Sequence, residues 1–172
     1  MSLNQKLPIK GAANFWYLTR SCNEQNEWIS RKRILSMDVG NYKVGFSISD
    51  DSQSHSIPLV TLYRNPDGKL MQPKSLMHII AENNIAGWVV GNPLDKFGRF
   101  SMQSSKVMKF LIILFMEHKI ATENILMWDE RYSTLISRKM FKKVGCSGDI
   151  DIMASQVILD EYLGWTKTLI NP

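Results

Sequence analysis

Apolar and polar residues alternate in two different rhythms along this chain. From Arg33, the run RILSMDV, with Ile34, Leu35, Met37 and Val39 apolar, reads as a buried strand. YKVGFSISD then alternates with a period of two and reads as its antiparallel partner, joined by a tight turn at Gly40-Asn41. IPLVTLYR, Ile57 to Arg64, makes a third strand, ended by Asn-Pro-Asp-Gly. The rhythm then changes. After Pro73, Leu76, Ile79 and Ile80 fall at helical spacing. GWVVGNP is a short central strand that stops at Pro93, and the loop LDKFGRF follows it. Ser101 caps a long apolar helix through Lys119. NILMWDER is a last short strand, STLISRKMFKK an amphipathic helix with a basic face, and Ile150 to Lys167 a final helix.

Three strands in a meander suit antiparallel hairpins, and strands alternating with helices suit parallel crossovers. An α/β fold built on a mixed sheet of about five strands, with helices on both faces, satisfies both. The chain has 172 residues, enough for one domain with a real core. The pattern places that domain at residues 33–168, followed by a short tail at 169–172. Residues 1–32 have no clean periodicity and carry no acid before Glu24. They read as an unstructured extension or an organellar leader. On the second reading the protein is bound for a chloroplast or mitochondrion, and otherwise for the cytoplasm. FWYL is too short for a secretory signal.

The longest apolar run, FLIILFM, is too short to span a bilayer. Two cysteines make no disulfide framework. The net charge of +5 is uneven: residues 96–143 hold ten basic and four acidic residues, a local +6. Within it, Lys96, Arg99, Arg131, Arg138, Lys139, Lys142 and Lys143 flank the acids discussed next and are candidates to hold an anionic polymer. His55, His78 and His118 are scattered without metal-ligand spacing.

Acids stand at element ends, where functional side chains collect. Asp38 closes the first strand, Asp129 and Glu130 the last, and Asp151 opens the final helix. Converging carboxylates repel one another, so such a cluster stays ionised only around cations, and hard oxygen donors favour Mg²⁺ or Mn²⁺. Two such ions about 3.5–4 Å apart can activate a water and stabilise the leaving oxygen of a phosphodiester. Alternation sends Asp129 and Arg131 to one side of the strand and Glu130 to the other. A helix-capping role competes for Asp151, and pairing with Arg131 competes for Asp129 and Glu130.

The stretches MDVGNYKVGFSISD, IAGWVVGNPLDKFG, WDERYST and DIDIMASQVILDEYL resemble, in order and spacing, the YqgF family. This family is also termed RuvX-like or Holliday-junction-resolvase-like, within the RNase H-like superfamily. The resemblance covers residues 33–165 and implies an RNase H-like fold. It implies catalytic carboxylates at Asp38, Glu130 (with Asp129 beside it) and Asp151, holding two Mg²⁺ or Mn²⁺ ions. The implied activity is nuclease cleavage in maturing the 5′ end of pre-16S ribosomal RNA, with Holliday junction resolution as the alternative. The partner is then structured RNA or branched DNA, acted on by a monomer or homodimer. Trp128 before Asp129 is similar to the plant organellar version of the motif. Two positions depart from the pattern: Asn92 stands where the family has an apolar or aromatic residue, and Ser147 where a lysine often precedes the last acid.

The opening D-V-G-N-Y-K-V-G also looks like the phosphate loop of actin-like ATPases, but those need a second domain to wall the nucleotide. A non-catalytic nucleic-acid-binding module is the other rival, and the presence of all the acids speaks against it.

Overall fold

A computed structural model describes residues 7–20, 32–117, 120, 124–130 and 149–170. Its elements run α1 (Ala12–Arg20), β1 (Arg33–Val39), β2 (Lys43–Ser49), β3 (Ser56–Tyr63), α2 (Pro73–Asn83), β4 (Ile85–Asn92), α3 (Met102–Glu117) and β5 (Ile125–Asp129). The last helix, labelled α4, spans Ile150–Ile170. The strands form one five-stranded sheet in the order β3-β2-β1-β4-β5. β1–β2 and β2–β3 are antiparallel, and β1–β4 and β4–β5 are parallel. The chain therefore has the mixed α/β architecture that the sequence pattern predicted, an antiparallel meander followed by parallel strands.

The two faces of the sheet follow from strand alternation. Leu35, Met37, Val44, Phe46, Trp88 and Val90 point to one side, where they pack with Leu76 of α2 and with Val107, Phe110, Leu111 and Leu114 of α3. Ile34, Val89 and Leu126 point to the other, against Ile158, Leu159, Tyr162 and Leu163 of α4. α3 begins on a reciprocal cap: Ser104 N–H donates to Ser101 Oγ at 3.0 Å, and Ser101 N–H to Ser104 Oγ at 3.1 Å. α4 is seated by small polar groups as well as by its apolar stripe. Ser36 Oγ donates to the carbonyl of Ser155, and Ser47 Oγ lies 2.7 Å from Ser155 Oγ. Buried hydroxyls need such partners, and these tie α4 to β1 and β2.

Leu7 to Arg20 differ from the unstructured stretch that the lack of periodicity suggested. Lys10 N–H donates to the Ile125 carbonyl at 2.8 Å, and Ile125 N–H donates to the Pro8 carbonyl at 3.1 Å. This short parallel bridge covers the outer edge of β5. Phe15 of α1 is fully buried, edge-on to Tyr162 with ring centroids 5.5 Å apart. Gly87 on β4 makes the hollow: a β-carbon there would come 2.7 Å from the Phe15 ring. A single aromatic anchor of this kind leaves no periodic signature, which is why the pattern missed it. Among the described residues no helix is long and apolar enough to cross a membrane.

Candidate active site

Period-two geometry in β1 puts Ile34, Ser36 and Asp38 on the face covered by α4. Leu126 and Trp128 of β5 pack toward the same helix, and Glu130, the next residue in that series, turns the same way. The two strands flank β4, whose Gly91 lies between them. A β-carbon at Gly91 would overlap Glu130 Oε2 and come 2.8 Å from Ile158 Cδ1. Absence of that atom lets the Glu130 carboxyl reach inward, where it hydrogen-bonds Asp38.

The third acid arrives on α4. Asp149 is the N-cap of this helix: its Oδ1 accepts the Asp151 N–H at 3.1 Å, and its carbonyl accepts the Met153 N–H at 3.2 Å. Capping by Asp149 leaves the Asp151 side chain available to the site. Gly45, which pairs with Asp38 across the β1–β2 ladder, allows the close seat, since a β-carbon there would overlap the Asp151 carbonyl. Asp151 Oδ1 would lie 3.8 Å from a β-carbon built on Gly40, in the hairpin turn that follows Asp38.

Burial raises the Asp38 carboxyl to about 7, helped by the nearby charge of Asp151 and opposed by the Glu130 hydrogen bond. Burial raises Glu130 to about 8, with the charge of Asp38, their shared hydrogen bond and Asp129 adding to it. Asp151 is also raised, by burial and then by Asp149, with Lys43 acting against the shift. The causes are the same throughout: desolvation and like charge both disfavour the ionised form. Both shifts run the same way, so the metal-free Asp38–Glu130 pair binds a proton more readily than ordinary carboxylates do.

Lys43 was missed at the level of sequence. Its Nζ lies 3.6 Å from Asp149 Oδ2 and 3.9 Å from Asp151 Oδ2. It stands on β2 two residues before Gly45, so alternation alone puts it on this face. A lysine near the last acid was absent at position 147, and Lys43 brings one from the opposite strand.

Asp129 is exposed and pairs in register with Asn92, one residue out of phase with Glu130. Lys96 and Arg99 lie on the β4–α3 loop, on either side of the exposed Phe97; Lys96 Nζ and Arg99 Cζ each sit 4.9 Å from its ring centroid. Asp95 shapes that loop, accepting the N–H of Phe97 and of Arg99 and pairing with Arg99 Nε at 2.9 Å. Arg131, Arg138, Lys139, Lys142 and Lys143 lie outside the described residues.

The donor set suits a hard divalent cation, being three carboxylates with no sulfur or imidazole among them. Among the described residues no three such side chains already stand as a ready-made metal cage. Asp38 and Glu130 are drawn together by their hydrogen bond, and Asp151 is within reach of Lys43. Asp38, Glu130 and Asp151 would hold a cation here, and its charge would favour their ionised forms.

A mixed sheet presents carboxylates from two parallel strands and a closing helix, which defines an α/β protein with a candidate acidic active site. The chain belongs to the RuvX family, whose model, described as Holliday junction resolvase, matches residues 32–164. Relatives named "Putative pre-16S rRNA nuclease" include one from Ehrlichia ruminantium (strain Welgevonden), 34% identical over 87% of this chain and 97% of its own. Another, from Chloroflexus aggregans, is 27% identical over 78% of this chain and 95% of its own. Among solved structures, RuvC of T. thermophilus in complex with a Holliday junction substrate matches 79% of this chain and 97% of its own. Its identity is 6% and its TM-score 0.46.

Proposed function

We propose that the protein is a metal-dependent nuclease that cleaves phosphodiester bonds of structured RNA, in maturing the 5′ end of pre-16S ribosomal RNA. The observation that carries this reading is the meeting of Asp38 and Glu130 across Gly91, with Asp151 closing in from the start of α4. These carboxylates cannot all ionise in so crowded a place without a cation, so the cluster is a poor structural device and a good metal seat. Asp38, Glu130 and Asp151 would hold Mg²⁺ or Mn²⁺, and a pair of ions would activate water and stabilise the leaving oxygen.

The chain's own residues divide the remaining work. Asp38 comes from the central strand and is the most rigidly placed ligand. Glu130, one residue past β5, reaches in with a longer side chain. Asp129 is exposed and out of phase with Glu130, so it would support the site from outside rather than as a ligand. Lys96, Arg99, Arg131, Arg138, Lys139, Lys142 and Lys143 would meet the backbone of the substrate as phosphate contacts.

The test is a cleavage assay with the purified chain, in Mg²⁺, Mn²⁺ or EDTA. Its substrates are an RNA bearing a 5′ extension of 16S type and a four-way DNA junction. The expected result is cation-dependent cleavage of the RNA in preference to the junction. Preference for the junction would move the substrate to branched DNA. Failure to cut either in any metal would overturn the nuclease reading.

A further inference from the structure

On the far side of the β1–β2 turn from the acids lies a second feature that the acid cluster does not explain. The turn, the Asn65–Gly68 loop after β3 and one face of α3 enclose a cavity of about 290 Å³. That is space for on the order of ten waters. Among the described residues three cations line it, Arg64, Lys106 and Lys109, against one acid, Asp67. Arg64 is held in place: its guanidinium lies 4.6 Å over the Phe110 ring, Nε donates to the Gly68 carbonyl at 3.2 Å, and Nη1 donates to the Gly40 carbonyl. Those two bonds use two of its five N–H donors. Lys106 and Lys109 stand exposed, one turn apart on α3, and among the described residues neither is paired with an acid. Lys106 Nζ reaches Asn41 Oδ1 at 3.5 Å. Tyr42, beside it in the turn, is 78% exposed.

A surface cavity that gathers two lysines beside one fixed guanidinium suits a phosphate, which accepts from a planar fork and from flexible ammonium groups together. An exposed tyrosine at its rim suits a nucleobase face. Gly40 ties the two sites together. Its carbonyl is held by Arg64 on this side, and the position of its missing β-carbon is 3.8 Å from Asp151 on the other.

We propose that this cavity is a phosphate-binding subsite for the nucleic-acid strand, gripping its backbone beside the bond presented to the acids, with Tyr42 stacking on the adjoining base. The inference rests on the nuclease reading and adds a contact point on the face of the sheet opposite the acids. It explains why a basic helix face lies on the side of the sheet away from the acid cluster. It also gives Arg64 a role beyond bracing the turn.

The experiment measures binding of fluorescein-labelled single-stranded RNA, single-stranded DNA and a four-way DNA junction by anisotropy, between 50 and 200 mM salt. EDTA is present so that nothing is cut. Lys106→Ala/Lys109→Ala, changed on an exposed helix face, is compared with wild type and with Lys167→Ala. Lys167 lies at the far end of α4, about 24 Å along the helix from Asp151. Loss of one phosphate contact should make the log–log salt slope shallower by about 0.7 to 0.9 and weaken binding about five- to eightfold at 0.1 M salt. Tyr42→Ala should weaken single-strand binding without changing the slope. Unchanged affinity and slope in the double variant, with wild type binding well, would overturn the subsite and leave the nuclease reading intact. An equal loss in Lys167→Ala would also overturn it, by reducing the effect to net charge. Wild-type protein that binds none of the three probes at 50 mM salt would overturn both proposals.

Discussion

The carboxyl of Glu130 hydrogen-bonds that of Asp38 across a strand position, Gly91, where any β-carbon would overlap it. β1 and β5 are not neighbours; β4 separates them, and the two acids meet only because that intervening residue has no side chain. Gly91→Ala should therefore push Glu130 out of the cluster. Expected outcomes are a loss of stability of about 1–3 kcal/mol in urea unfolding and a drop in Mn²⁺ affinity by calorimetry. Unaltered Mn²⁺ binding in a folded Gly91→Ala variant would show that Glu130 is not a ligand.

The raised carboxyls predict a particular pH dependence. Asp38 at about 7 and Glu130 at about 8 bind protons more tightly folded than unfolded. Stability from the protonated pair is then fully present below about pH 4, the unfolded range, and is lost as pH rises through 7 and 8. The metal-free protein should show a falling Tm between pH 5 and 9, and saturating Mg²⁺ should restore it at the alkaline end. Asp38→Asn should flatten the profile. A Tm that rises over this interval in EDTA would contradict the assignment.

Glu130 and Asp129 are adjacent but out of phase, and their substitutions should separate. Glu130→Gln should lose Mg²⁺-dependent cleavage with little change in Tm. Asp129→Asn should keep part of the activity at some cost in stability. The reverse pattern in a single-turnover assay would shift the ligand by one residue.

Asp149 should behave as a helix cap. Asp149→Ala removes the acceptor for the Asp151 N–H and should cost about 0.5–2 kcal/mol by chemical denaturation. Asp149→Asn, which keeps the acceptor, should recover most of the loss. Equal losses in the two variants would point to charge rather than capping.

Phe15 should behave as a core residue. Phe15→Ala empties the hollow over Gly87 and should destabilise the domain by about 3–5 kcal/mol. A change of only a few tenths would mean that α1 does not contribute to the folded domain.

The strands were legible because their residues obey simple local rules. Alternation in YKVGFSISD and the apolar run of GWVVGNP fix each strand and the face each side chain takes. The same alternation separates Glu130 from Asp129. What escaped depends on contacts between distant parts of the chain. Phe15 is one aromatic in an aperiodic stretch, and its role depends on a glycine 72 positions later. Asp151 reads as a cap on spacing, and only the hydrogen bond from its N–H to Asp149 Oδ1 moves the capping role to Asp149. Lys43 reads as an ordinary strand-edge cation until α4 folds over it. Arg64, at the end of a strand beside Asn-Pro-Asp-Gly, carries no local sign that its guanidinium reaches back to the Gly40 turn.

The central claim is that Asp38, Glu130 and Asp151 form a divalent-metal centre for phosphodiester cleavage. It is tested most directly by single-turnover cleavage of the 5′-extended RNA in Mg²⁺, with wild type and Asp38→Asn side by side. The account predicts cleavage by wild type that EDTA abolishes, and a rate about a hundredfold lower or less in the folded variant. Equal rates for the two proteins would contradict it.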